Sequence, residues 1–253
     1  AMTDVAESAI FGICDMQKKV ITRLRMTATG VDDVTNATTH ADHLIPAKLE
    51  RLLYPKRFKF VYGGRGSGKT RTIITILTER ARFRSDRFAC FREIQQSIED
   101  SSYQELVDEI ARKGESAEFR VINNEITHKK TKAKFRFKGL YRNQTTVKGF
   151  AGITVGWVEE AENVSQTSWD ILVPTIRAAN SELWCSFNPN KDTDPTWKNW
   201  IAPYHSQMVD GIFENDEILI IECNYSDNPW FWDTPLPSSM EQMKRFYFDR
   251  YMW

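Results

Sequence analysis

The sequence lacks an excess of either charge: 34 lysines and arginines balance 34 aspartates and glutamates over 253 residues. That excludes a protein that coats nucleic acid through bulk charge, although it leaves room for a local basic patch. No apolar run approaches the roughly 18–20 residues that a membrane helix needs, so no membrane partner is expected. The opening AMTDVAESAI has no basic segment leading into an apolar one, as a secretory signal would, and the alanine before Met2 reads as a cloning remnant. Cysteine is sparse: Cys14, Cys90, Cys185 and Cys223 are far apart and form no CxxC pair. Three of the four lie in apolar, strand-like runs, the pattern of buried, reduced thiols. Internal repeats and low-complexity tracts are missing too.

What is present is an alternation of two hydrophobic periods. Residues 3–27 space Val5, Ile10, Ile13, Val20, Ile21 and Leu24 between basic positions and predict an amphipathic helix. Residues 28–44 are polar and read as a linker; His40 and His43 within it read as solvated side chains, not metal ligands. From residue 58 the pattern changes. FKFVY (58–62) predicts a strand, and TRTIITILTERARF after residue 69 a helix with Ile73, Ile74, Ile76 and Leu77 on its apolar side. RFACFR (87–92) predicts a strand, 95–113 a helix stopped by Gly114, and 118–139 short alternating strands in which Ala133, Phe135 and Phe137 oppose Lys134, Arg136 and Lys138. ITVGWV (153–158), ELWCSF (182–187) and EILIIEC (217–223) predict further strands, with a helix near 165–172. Strands alternating with helices imply an α/β fold around a mostly parallel, doubly wound sheet.

One segment carries chemistry on its own. GGRGSGKT fits G-x-x-x-x-G-K-[ST] with Gly63, Gly68, Lys69 and Thr70, and it has a strand before it and a helix after it. In such a loop, Gly63, Gly64, Arg65, Gly66, Ser67 and Gly68 turn successive N–H groups toward a phosphate. The helix N-terminus adds positive partial charge. Lys69 then reaches the β- and γ-phosphates of ATP, and the Thr70 hydroxyl holds Mg2+. Arg65, inside the loop, has two open readings: a transition-state arginine for the γ-phosphate, or a loop anchor paired with a carboxylate. The acidic partner follows the strand 153–158. Glu159 is placed to hold the magnesium and Glu160 to activate the attacking water, because successive strand-end residues point in different directions. Asn190-Lys191-Asp192-Thr193 nearly spells the guanine-reading NKxD, but Thr193 lacks the required carboxylate, so the segment reads as a loop.

Beyond the loop, CFREIQQSI (90–98), GITVGWVEEAENVSQTSWDILVPTIR (152–177), SELWCSFNPN (181–190) and NYSDNP (224–229) keep an order that resembles the N-terminal ATPase domain of phage large terminase subunits. The resemblance implies a P-loop NTPase of the ASCE type. It would have an N-terminal helical extension (1–45), a core (46–225) and a C-terminal linker (226–253). It implies that 63–70 is the Walker A motif with its in-loop arginine, that Glu159 and Glu160 end the Walker B strand with Glu160 catalytic, and that Ser186 and Asn188 belong to a coupling motif. From the residues alone, Ser186 and Asn188 equally suit a strand end capped by turn formers. Where relatives carry a trans-acting arginine, this chain has Lys148. Lysine lacks the planar fork that grips phosphate, so a finger role and a solvated loop lysine both stand open.

The family further implies Mg-ATP as the working nucleotide and double-stranded DNA as the substrate. Its partners would be a homo-oligomeric ring, a portal protein and a small terminase subunit, and its place the host cytoplasm at the procapsid. Its second half is a nuclease of RNase H-like fold. The 253 residues supply no such half, so the chain reads as a piece of a longer protein. The aromatic residues of 230–253 are expected to pack on the ATPase or on that second half. The basic strand 134–138 and the run 48–59 are candidate DNA or inter-subunit surfaces, or solvated edges. Two other functions fit the same loop: a different P-loop translocase or helicase, and a module whose assembly ATP switches without turnover.

Overall fold

The computed structural model describes residues 15–16, 19–20, 24–26, 31–33, 45–94, 102–122, 124–141, 150 and 152–246. Expectations that fall elsewhere, among them those for Cys14, His40, His43, Lys148 and the last aromatic residues, lie outside the described residues.

The N-terminal helix is not what the described residues of 3–27 form. β1 (Asp15–Met16) pairs antiparallel with β2 (Lys19–Val20), and β3 (Leu24–Met26) with β4 (Val31–Asp33). β-Branched residues such as Val20 lose side-chain freedom in a helix and favour extended backbone. Periodicity alone does not register that cost.

The body of the chain is a nine-stranded sheet. Its strands are β5 (Phe58–Tyr62), β6 (Arg87–Arg92), β7 (Phe119–Ile122), β8 (Glu125–His128), β9 (Lys134–Gly139), β10 (Val155–Glu159), β11 (Glu182–Phe187), β12 (Ile212–Glu214) and β13 (Ile218–Glu222). They lie in the order β12-β13-β5-β11-β10-β6-β9-β8-β7. The six strands from β13 to β9 pair in parallel, and antiparallel strands flank them at both edges. Among the described residues the α-helices are α1 (Lys69–Phe83), α2 (Ser102–Arg112), α3 (Gln166–Thr175), α4 (Ala202–His205) and α5 (Leu236–Phe246).

Parallel central strands are covered on both faces, so β10 and β11 are buried at every residue. The two faces build separate cores. Val61, Trp157 and Trp184 pack with Ile73, Ile74 and Leu77 of α1; Phe60, Val158 and Cys185 pack with Trp169 and Leu172 of α3. The predicted alternation in β9 is realised, with Phe135 and Phe137 buried and Arg136 exposed. α2 stops at Gly114, whose φ of 73° lets the chain turn back so that the Glu115 N–H donates to the Ile110 carbonyl. Among the described residues, no helix is long and apolar enough to cross a membrane.

The run 48–59 spends most of its cations inside the chain. Lys48 pairs with Asp227, and both Arg51 and Lys56 pair with Glu214. Arg57 donates to the Ile176 and Ser181 carbonyls. Lys59 is buried against Glu182, where burial pushes its pKa down to about 8. Arg51 and Lys56 thus share a single carboxylate, and Arg57 meets uncharged carbonyls. On β9, Lys134 and Arg136 both pair with Glu125.

Candidate functional site

Sheet register brings the predicted site residues together. Tyr62, the last residue of β5, pairs with Phe187 on β11, and Ser186 pairs with Glu159 on β10. The carboxyl ends of three adjacent strands therefore stop in one row, where open α/β sheets form their ligand crevice. The loop 63–68 leaves β5 there, its Gly63 N–H donating to the Phe187 carbonyl, and α1 begins at Lys69. A cavity of about 330 Å³ lies over this row. Arg65, the loop residues from Gly66 to Thr70, Glu159, Glu160, Ser186 and Asn188 line it.

Backbone geometry explains the glycines. Gly63 has φ 137°, and a methyl group there would meet the Cys223 carbonyl oxygen at 2.2 Å. Gly66 has φ 78°, and a methyl group would lie 2.7 Å from the Phe231 ring. Gly66→Ala should lower stability by about 1–3 kcal/mol through left-handed strain and this clash. Chemical denaturation of Gly66→Ala alone and combined with Phe231→Leu will separate the two causes, because only the clash is relieved in the pair.

The Lys69 ammonium lies within 3.0 Å of four acceptors: the Gly63 and Gly64 carbonyls, the Ser67 hydroxyl and the Asn188 amide oxygen. Burial lowers its pKa to about 8. Of the two residues assigned to coupling, Asn188 thus touches the loop lysine directly. Ser186 is buried and accepts a hydrogen bond from Trp157 Nε1 at 3.1 Å. Arg65 is exposed at the cavity and, among the described residues, makes no ion pair. The carboxylate-anchored reading of Arg65 has no partner there.

The two strand-end acids differ sharply. The Glu159 side chain is 7% exposed, and its Oε2 accepts from Arg92 Nε at 3.0 Å, from Arg92 Nη2 at 2.7 Å and from the Ser102 hydroxyl. Glu160 follows in left-handed conformation, φ 51°, with its side chain 47% exposed and its Oε1 3.4 Å from Arg92 Nη1. That backbone is uncommon for a residue with a side chain, and such strain concentrates at functional positions. Arg92 thus grips both acids from the neighbouring strand β6.

Sequence reasoning missed several members of this site. Glu162, on the turn Ala161–Asn163, lines the same cavity, and its Oε2 is buried without a hydrogen-bond partner. Burial, reinforced by Glu160, raises its pKa to about 7. Nothing periodic marks it. The chain after β13, expected as a linker from residue 226, is stitched to the loop 63–68. Asn224 Oδ1 accepts from the Gly64 N–H at 3.0 Å, and Asn228 Nδ2 donates to the Gly66 carbonyl at 2.7 Å. Phe231 is buried against Gly66, and Trp232 and Phe246 are exposed.

A triphosphate fits this donor set: a loop with turned backbone, one buried ammonium, one exposed arginine and a helix start. Among the described residues, no group of three or more His, Cys, Asp or Glu side chains is arranged to hold a metal. Magnesium carried by phosphates and water needs only a hydroxyl and one or two carboxylates, and Thr70, Glu159 and Glu160 share the cavity.

Residues 55–253 match the family model described as phage terminase large subunit. The chain belongs to that family. Solved terminases share its fold. The large terminase of a thermophilic bacteriophage is 15% identical with a TM-score of 0.58, covering 76% of this chain and 45% of its own. The same protein in complex with ADP is 14% identical with a TM-score of 0.59, at the same coverage. The large-terminase ATPase domain of Thermus phage P74-26 is 13% identical with a TM-score of 0.56, covering 83% of this chain and 88% of its own. This terminase-family chain thus spans less than half the length of the first of these proteins. No curated protein sequence matches it.

Proposed function

We propose that this domain hydrolyses Mg-ATP and couples the turnover to movement of double-stranded DNA into a procapsid, as the motor part of a packaging terminase. The convergence of Lys69, Asn188 and the acids Glu159 and Glu160 on one cavity at the sheet's carboxyl edge carries this reading. Loop N–H groups and Lys69 hold the phosphates, and Arg65 reaches for the γ-phosphate. Magnesium, held by Thr70 and Glu159 when bound, would neutralise phosphate charge. Glu160 takes the proton of the attacking water as ADP leaves. Asn188, already on Lys69, reports γ-phosphate loss to β11. Ser186, held by Trp157, fixes the base of that strand end. Lys148 is the trans-acting candidate toward a neighbouring subunit in a ring. DNA, portal and small subunit are the partners, and the host cytoplasm is the place.

Phosphate release with Mg-ATP, with and without double-stranded DNA, tests the proposal. Turnover that needs magnesium and rises with DNA is expected. Nucleotide-driven self-association without turnover in either condition would favour an assembly switch instead, and separation of a forked duplex would favour a helicase.

A further inference from the structure

The parallel strands β5, β11, β10, β6 and β9 all start at the sheet's amino edge, one strand length or about 17 Å from the loop 63–68. Two cavities lie there. One, of about 720 Å³, has Arg57, Arg84, Arg177, Val173, Pro174 and Asp216 among its walls. The other, of about 320 Å³, is lined by Arg87, Lys132, Lys134 and Arg136 and by no acidic residue. They flank the turn between α1 and β6, where Arg84 lines the first and Ser85 and Arg87 the second.

Few of these cations are balanced. Among the described residues, Arg84, Arg87, Lys132 and Arg177 make no ion pair. Lys134 and Arg136 share one carboxylate, that of Glu125. The buried acids nearby are spent, Asp86 on Arg80 and Glu182 on Arg80 and Lys59, which leaves exposed Asp216. A chain of zero net charge thus gathers an excess of positive charge along one edge.

Five strands about 4.8 Å apart make this edge about 19 Å long. Duplex DNA carries one phosphate per about 3.4 Å of axis on each strand, so the edge spans about five phosphates. Guanidinium forks match phosphate oxygens. Neither cavity offers an exposed aromatic anchor of the kind that protein interfaces are built on; Phe88, in the smaller one, is buried. We propose that the amino edge of the sheet, from Arg177 to Arg136, is where this domain grips the phosphate backbone of double-stranded DNA. The inference rests on the motor reading and places its DNA at the opposite end of the sheet from its nucleotide. Helix α1 joins the two ends, since it begins at Lys69 in the loop and stops at Phe83, beside Arg84.

Fluorescence anisotropy of a labelled duplex across a salt series tests it. In Arg87→Gln combined with Lys132→Gln, the slope of log affinity against log salt should become shallower by about 1–2, the loss of one or two phosphate contacts. DNA stimulation of phosphate release should fall with it. Both side chains are exposed, so the fold should tolerate the change. Lys191→Gln removes an exposed cation just past the carboxyl end of β11 and should leave the slope unchanged. An unchanged slope in the double variant would overturn the proposal. So would an equal drop in Lys191→Gln, since diffuse charge would then hold the duplex. A double variant that keeps its slope but loses self-association would give the edge to an acidic face of a second copy instead. A wild-type protein that binds no duplex defeats the DNA reading beneath the proposal; one that binds it with the double variant unchanged defeats this inference alone.

Discussion

Glu160→Gln should bind ATP with near-normal affinity and hydrolyse it about 10²–10⁴ times more slowly, the range that a positioned general base contributes. Glutamine keeps the volume and the hydrogen-bonding shape of glutamate but cannot accept the proton. The choice of Glu160 over its neighbours is geometric. Glu159 has its Oε2 saturated by Arg92 and Ser102, and Glu162 buries an oxygen in the cavity wall. Glu160 projects, half-exposed, from a left-handed turn at the cavity. Glu162 nevertheless has a pKa of about 7, which suits a base working near neutrality. The pair of variants decides between them. Single-turnover phosphate release should collapse in Glu160→Gln and fall far less in Glu162→Gln. The reverse order would move the base to Glu162. Lys69→Ala separates chemistry from binding, because it should weaken nucleotide affinity where Glu160→Gln does not.

Arg92→Ala should destabilise the fold by about 3–5 kcal/mol, the cost of leaving one partner of a buried ion pair behind. Arg92 is 9% exposed and Glu159 7%, so water does not screen the loss. For a domain of this size that corresponds to a fall in Tm on the order of 10 °C. Arg92→Met combined with Glu159→Gln should recover much of it, since neither partner is then charged. Thermal unfolding followed by circular dichroism reads both. A loss under ~1 kcal/mol in Arg92→Ala would mean that the pair behaves as an exposed one.

Much of this architecture is legible in the sequence because long apolar runs bounded by polar residues leave few options. The strands 58–62, 87–92 and 182–187 fall where FKFVY, RFACFR and ELWCSF predict them. Edge strand β12, three residues with no repeat to read, is not legible. Neither is the N-terminal stretch, where helical spacing and β-branched residues pull in opposite directions. At the site, the loop 63–70 announces itself because its glycines and lysine serve local geometry. Arg92, Asn224 and Asn228 do not, since their roles depend on which strands and loops become neighbours in space. An arginine ending CFR looks like any strand-end cation until β6 pairs with β10. The same holds for Glu162, whose turn bends it into the cavity only because β10 stops beside β11.

The stitching of Asn224, Asn228 and Phe231 onto the loop couples the loop's shape to the chain that follows β13. Its backbone is tied at Gly64 and Gly66 by amide side chains only four positions apart in the chain. Tension along that stretch would tug the cradle at two fixed handles. By reciprocity, any reshaping of the loop is delivered to the same handles. A lever of this kind needs no hinge glycine in the trailing segment, only rigid amides at each end of the tether.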